Sequence, residues 1–184
     1  MRISRFTSNK RNGRRGEEIA MNLTKKQVKA FLEILSSDNV RPILTQASIE
    51  LYNDVTHLVA TDSYKLVAIP VNGVSDMIGK RISREDIVKW YKLASNKDRF
   101  TDENVRELAT LNPEEHGKYP KWQDLVPTGE KTAFTQTILN VNYLMTIQNL
   151  FEVPGLTLEF YGDKFGPVVV RNNGMLGLIM PLKS

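Results

Sequence analysis

The sequence predicts an α+β fold of two similar halves, each a helix followed by three strands, with the helices packed on antiparallel sheets. Two observations carry this expectation. Helix-period and strand-period apolar patterns succeed one another in the order helix–strand–strand–strand twice, over roughly 24–71 and 140–183. An amphipathic helix and an alternating strand each leave one apolar face that only another layer can cover. At 184 residues, with 41% apolar and 25% charged residues, the chain can bury one core of ordinary size.

The first helix opens at Thr24-Lys25-Lys26-Gln27. This is a capping box, in which the threonine oxygen and the glutamine side chain satisfy backbone donors of the first turn. Val28, Phe31, Leu32 and Leu35 repeat at helical spacing, predicting a helix from Lys25 to Ser37 ended by Ser37-Asp38-Asn39. Ile43, Thr45, Ala47, Ile49 and Leu51 alternate with Leu44, Gln46, Ser48, Glu50 and Tyr52, the signature of a strand with one buried face. Asn53-Asp54 reads as a turn. Two β-rich runs follow, His57 to Ala60 and Lys65 to Val71, joined by a tight corner at Thr61-Asp62-Ser63.

From Gly73 to Lys131 the pattern changes. Ser83-Arg84-Glu85-Asp86 caps a second helix with Ile87, Trp90, Tyr91 and Ala94 on one face. The stretch 96–118 is charged and weakly patterned, with room for one helical turn. Tyr119 to Pro127 is bounded by prolines and reads as extended. Lys131 to Leu139 then suits a strand, and Val141 to Phe151 suits a helix capped by Asn140 or Asn142 and stopped by Pro154-Gly155. Leu156, Leu158 and Phe160 alternate as a strand, and Val168 to Arg171 and Leu176 to Met180 form a hairpin around Asn172-Asn173-Gly174. The expected organisation is a basic, disordered tail at 1–20 and one domain over 21–184 with an insertion at about 74–131. A middle domain joined to half of a last one is the other parse; the repeated half-pattern favours the first.

The formal net charge is +4, and it resides in the tail. Residues 1–20 hold Arg2, Arg5, Lys10, Arg11, Arg14 and Arg15 against Glu17 and Glu18, which leaves 19 basic and 19 acidic residues in the remainder. Such an arm can neutralise phosphates. The purine-rich coding that Arg14-Arg15-Gly16-Glu17-Glu18 implies just before Met21 instead suggests a translated leader, with Met21 as the natural start. The basic face of the first helix, Lys25, Lys26 and Lys29, is the DNA-binding candidate within the domain.

Most catalytic chemistry lacks its residues here. There is no cysteine, hence no disulfide framework, thiolate metal site or cysteine nucleophile. Phosphate-loop and dinucleotide-binding glycine motifs are absent, and His57 and His116 stand in unrelated contexts. The chain is therefore expected not to be an enzyme and to need no cofactor or metal. No apolar run reaches membrane-spanning length, so a cytoplasmic protein is expected.

Arg41-Pro42-Ile43-Leu44-Thr45, then Val59-Ala60-Thr61-Asp62-Ser63-Tyr64-Lys65-Leu66, resembles the bacterial DNA sliding clamp, the β subunit of DNA polymerase III, in which the second stretch typically reads Ala-Thr-Asp-Gly-His/Tyr-Arg-Leu. Tyr119-Pro120 through Val126-Pro127 resembles its Phe-Pro-Asp-Tyr…Leu-Pro segment. Asn140-Val141-Asn142-Tyr143-Leu144 resembles the start of its last helix, and Leu178-Ile179-Met180-Pro181-Leu182-Lys183 its terminal Val-Met-Pro-Met-Arg. Their order and spacing match across most of 24–183.

The resemblance implies a DNA-clamp-like domain and a hydrophobic pocket for Gln-x-x-Leu-Phe-type peptides of polymerases and other replication or repair proteins. Position by position, the implied peptide-binding residues are Leu44, Thr61, Ser63, Tyr64, Lys65, Leu66, Pro120, Leu125, Val141, Leu178, Met180, Pro181 and Leu182. It also implies a homo-oligomeric ring of six domains around double-stranded DNA, which a one-domain chain would close with about six copies. A monomeric decoy or adaptor from a phage or mobile element, and a DNA-binding regulator acting through the tail, are the alternatives. Three departures bear on the pocket. Ser63 replaces the family glycine, so that the corner must differ if it needs a positive φ. Lys183 replaces a terminal arginine, and Asp124 stands where the family is often basic. Gln148-Asn149-Leu150-Phe151 itself looks like a clamp-binding peptide, but Leu150 and Phe151 are expected in the core.

Overall fold

The structure is a computed structural model that describes residues 20–38, 40–113, 117–131, 137–162 and 166–182. The tail at 1–19, His116, Lys183 and residues 132–136 of the expected Lys131–Leu139 strand lie outside the described residues.

Helix α1 spans Lys25–Ile34 and starts with the expected capping box: Gln27 N donates to Thr24 Oγ1 at 3.2 Å, and Thr24 N donates to Gln27 Oε1 at 2.9 Å. It ends three residues earlier than the Ser37 expected, because Leu35 is already extended. Residues Pro42–Thr45, expected to begin a strand, form a 3-10 turn, since proline at the first turn position donates no ladder hydrogen bond. Strands β2 (Gln46–Tyr52), β3 (Val55–Thr61) and β4 (Lys65–Pro70) follow as an antiparallel meander. At the β2–β3 turn Asn53 and Asp54 take φ of 49° and 61°, the left-handed pair that two-residue hairpins favour.

The segment 74–131 is woven into this frame. Strand β5 (Arg81–Ser83) pairs with β2, and helix α2 (Arg84–Leu93) is capped by Ser83, whose Oγ accepts Asp86 N at 3.0 Å. Strand β6 (Arg99–Thr101) pairs with β1 (Asn22–Thr24) and leads into helix α3 (Asp102–Leu108). Asp102 fastens this corner by accepting Met21 N at 3.1 Å and Asn72 N at 3.0 Å. Helix α4 (Val141–Phe151) and strands β7 (Leu158–Glu159), β8 (Val168–Asn172) and β9 (Met175–Ile179) repeat the first half. Among 137–140 no strand forms, and β7 holds only two of the residues expected from 156–160.

One seven-stranded antiparallel sheet runs in the order β5-β2-β3-β4-β9-β8-β7. Its centre is the β4–β9 pairing, where Val67 faces Gly177 and the two half-sheets meet about a pseudo-two-fold. On one face α1 and α4 lie antiparallel: Gln27 Nε2 donates to Leu150 O at 2.7 Å, and Thr24 Oγ1 donates to Glu152 Oε1 at 3.0 Å. Phe31, Ile34, Ile147 and Leu150 from the helices pack on Ile49, Leu58, Val67 and Ile179 from the sheet. Gly177 lets α4 approach, since a Cβ there would sit 3.1 Å from Ile147 Cδ1. Leu150 and Phe151 are buried, as a core position demands of them.

The opposite face is also covered. Val59, Leu66, Ala68, Val169, Leu176 and Leu178 pack around Trp122 and Val126. This is why the expectation of one buried face for the first strand fails: Gln46, Ala47, Ser48 and Ile49 are all buried. The cover comes from a 3-10 turn at Trp122–Leu125 in the segment expected to be extended throughout. Trp122 and Leu125, three apart, lie over one another on this turn, and Val126 just past it is buried with Trp122.

Candidate functional site: an apolar pocket on the far face of the sheet

The corner between β3 and β4 is built by side-chain hydrogen bonds. Asp62 Oδ1 accepts Tyr64 N and Lys65 N, both at 2.9 Å, and its Oδ2 pairs with Lys65 Nζ. Thr61 Oγ1 donates to Lys65 O at 2.9 Å and accepts Ser63 N at 3.2 Å. Ser63 therefore sits at φ 82°: the corner does need a positive φ, and serine adopts it. Arg41 Nη1 donates to Ser63 Oγ at 3.2 Å. A non-glycine residue in this region is strained by about 1–2 kcal/mol, partly offset by the smaller unfolded-state entropy of serine. Ser63→Gly is accordingly expected to stabilise the fold by about 0.5–1 kcal/mol, read as a higher urea midpoint.

Met180 N donates to Tyr64 O at 2.8 Å, which holds the end of β9 against this corner. Together with the Trp122 turn they enclose an apolar cavity of about 210 Å³. Its walls are Leu44 from the first 3-10 turn, Thr61, Ser63, Tyr64, Lys65 and Leu66 from the corner, Pro120, Trp122 and Leu125 from the second turn, and Leu178 and Met180 from β9. All the residues expected for the pocket thus converge except Val141, Pro181 and Leu182. Val141 is 63% exposed on the first turn of α4 and Leu182 is 42% exposed, its N–H donating to Ile138 O at 2.9 Å. Two of the buried polar groups in the wall have partners: Thr61 within the corner, and Lys65 with Asp62 and with the Tyr143 ring, 4.7 Å from Nζ. Apolar walls with a few fixed polar edges suit a side chain of leucine or phenylalanine size.

Two positions escaped sequence reasoning. Trp122 is wholly buried and forms the floor; its spacing with Leu125 and Val126 was the available signal. Arg81 on β5 is 2% exposed and holds the start of the wall segment. Its Nη2 donates to Gly117 O at 2.5 Å and its guanidinium lies 5.8 Å from the Tyr119 ring, whose hydroxyl donates to Val59 O at 3.2 Å. Burial lowers the Arg81 pKa and raises that of Tyr119. No sequence signal marks Arg81, because a cation on a short edge strand ordinarily faces water.

Behind the floor, Tyr52 packs on Trp122 with centroids 5.1 Å apart and on His57 at 6.1 Å. His57 is 5% exposed, with Nδ1 2.9 Å from Val55 O. Burial lowers its pKa below 6.5, the hydrogen bond to Val55 opposing weakly. The unfolded chain then takes up the proton first, so this contribution to stability is full above about pH 6.5 and is lost as pH falls toward the folded value. Urea unfolding between pH 7.5 and 5.5 is expected to show that decline, and His57→Phe to flatten it.

The DNA-binding candidates are divided. Lys25 Nζ donates to Ala94 O at 2.6 Å and lies 5.0 Å from the Tyr91 ring, so α2 holds it; Lys26 and Lys29 are exposed. Helix α4, their pseudo-repeat counterpart, carries no Lys or Arg. Among the described residues no His/Asp/Glu group has metal-binding geometry, and no helix is long and apolar enough to cross a membrane.

A helix-covered antiparallel sheet built from repeated halves is the architecture of the DNA-clamp class of folds. Solved structures that match this fold include bacterial sliding clamps. The chain matches the sliding clamp (DNA polymerase III subunit beta) of Bartonella birtlesii bound to griselimycin at TM-score 0.58 and 17% identity, over 90% of this chain and 66% of that one. It matches DNA polymerase III subunit beta of Borrelia burgdorferi in complex with a natural product at TM-score 0.61 and 11% identity, over 89% and 64%. The beta chain of Streptococcus pneumoniae matches at TM-score 0.59 and 15% identity, over 100% and 67%. The chain thus has the sliding-clamp fold and spans about two thirds of the length of those clamps. No protein-family model and no curated protein sequence matches it.

Proposed function

We propose that this chain is a non-enzymatic, clamp-type docking module that binds short Gln-x-x-Leu-Phe-like peptides of polymerases or other replication and repair proteins. The observation that supports the reading is the convergence of the corner, the Trp122 turn and the end of β9 on one apolar cavity of about 210 Å³. Its side chains come from segments far apart in sequence, so nothing local in the chain would bring them together. Assembly of several copies into a ring on double-stranded DNA in the cytoplasm extends this reading. The capture of Lys25 by α2 and the absence of cations on α4 favour instead a monomer that competes with a clamp for its partners. Light scattering separates the two.

The test is a fluorescence-anisotropy titration with a labelled Gln-x-x-Leu-Phe peptide. Met180→Ala trims a half-buried wall residue and is expected to weaken binding about tenfold with little change in the urea midpoint. Absence of binding to the parent protein would sink the proposal.

A further inference from the structure

The apolar cavity has a neighbour of different chemistry. A second cavity, of about 550 Å³, shares Leu44 and Tyr64 with the first and extends past the end of α1. Its walls carry the carboxylates of Glu33, Asp38 and Asp62 against one cation among the described residues, Arg41. Asp62 is paired with Lys65 at the corner, and Arg41 is turned to Ser63 Oγ at 3.2 Å. The exposed Glu33 and Asp38 therefore set the sign of the far end. The wall between the cavities is aromatic: Tyr64, 59% exposed, stacks on Tyr143 with centroids 6.3 Å apart. Lys65 Nζ lies 4.7 Å from the Tyr143 centroid, so one ring of the pair already carries a cation of the protein's own, and the exposed Tyr64 face is the one open to a ligand.

Resting on the peptide-docking reading, we propose that the partner peptide carries a lysine or arginine next to its apolar anchor, on the side that crosses Tyr64. The anchor fills the first cavity, and the cation lies over the tyrosine face with its head toward Glu33 and Asp38. Charge complementarity of this exposed kind speeds encounter and selects among partners more than it adds affinity.

The experiment titrates the full chain with Gln-x-x-Leu-Phe peptides extended by Lys-Lys or by Glu-Glu, at either end, in low and high salt. The lysine peptide is expected to bind about fivefold tighter in one placement at low salt, with the gap narrowing as salt screens it. The double variant Glu33→Lys/Asp38→Lys, both exposed positions, should reverse the preference. A peptide keeping Lys-Lys but with Leu-Phe replaced by alanines should bind weakly. Equal binding of both peptides, or tighter binding of the glutamate peptide, overturns this inference and leaves peptide docking standing; undiminished binding of the anchorless one overturns both. Failure of every peptide to bind overturns both.

Discussion

Trp122→Ala is expected to lower unfolding stability by about 3–5 kcal/mol and to abolish peptide binding with it. The indole has no exposed surface and is the centre of the second core, between Val59, Ala68 and Leu178 of the sheet and Val126 of its own turn. Truncation removes a large apolar burial and leaves a void that the β-strands behind it cannot close, because their other face is packed on α1 and α4. The same void opens the floor of the 210 Å³ cavity, so the anchor loses its base. Trp122→Phe separates the effects. The indole N–H is buried with no partner among the described residues, so phenylalanine removes an unsatisfied donor while keeping most of the ring. That variant is expected to lose about 1 kcal/mol or less of stability, relieved of the unpaired donor, and to retain binding. Urea unfolding and peptide titration on both variants check this; full binding by Trp122→Ala would remove the indole from the site.

The elements legible in the sequence were those whose cause is local. The capping box at Thr24, the Ser83 cap and the two-residue turn at Asn53-Asp54 are satisfied by neighbours within three residues, and each formed where its residues predicted. The repeated helix and strands were readable for the same reason, as periodicity within short windows. What stayed hidden depends on partners far along the chain. β1 and β6 are three residues each and exist because they pair with one another across 75 or more residues. The burial of both faces of β2 follows from the Trp122 turn and could not be inferred from β2 itself. The pocket's membership was legible through resemblance, since its residues lie in four separated segments. Its charge environment depends on Glu33 and Asp38 reaching the same cavity as Tyr64, a tertiary fact.

Arg81 carries the second large effect, and it divides stability from function. Its guanidinium is buried, yet among the described residues Nε and Nη1 have no hydrogen-bond partner, while Nη2 holds Gly117 O. A charge so incompletely paired contributes little net stability, and an apolar side chain of similar length often replaces it without loss. Arg81→Met is therefore expected to fold with stability within about 1 kcal/mol of the parent, or above it. Arg81→Ala also removes the aliphatic stem and is expected to lose about 2–4 kcal/mol. Both variants release Gly117 and Tyr119, the residues that lead the chain into Pro120 and Trp122. Peptide affinity is expected to fall about tenfold in each, because a wall displaced by a fraction of an ångström no longer meets its ligand. An Arg81→Met protein that is stable but binds poorly would mark Arg81 as a positioning residue for the pocket. One that is stable and binds normally would assign that wall to the Trp122 core alone.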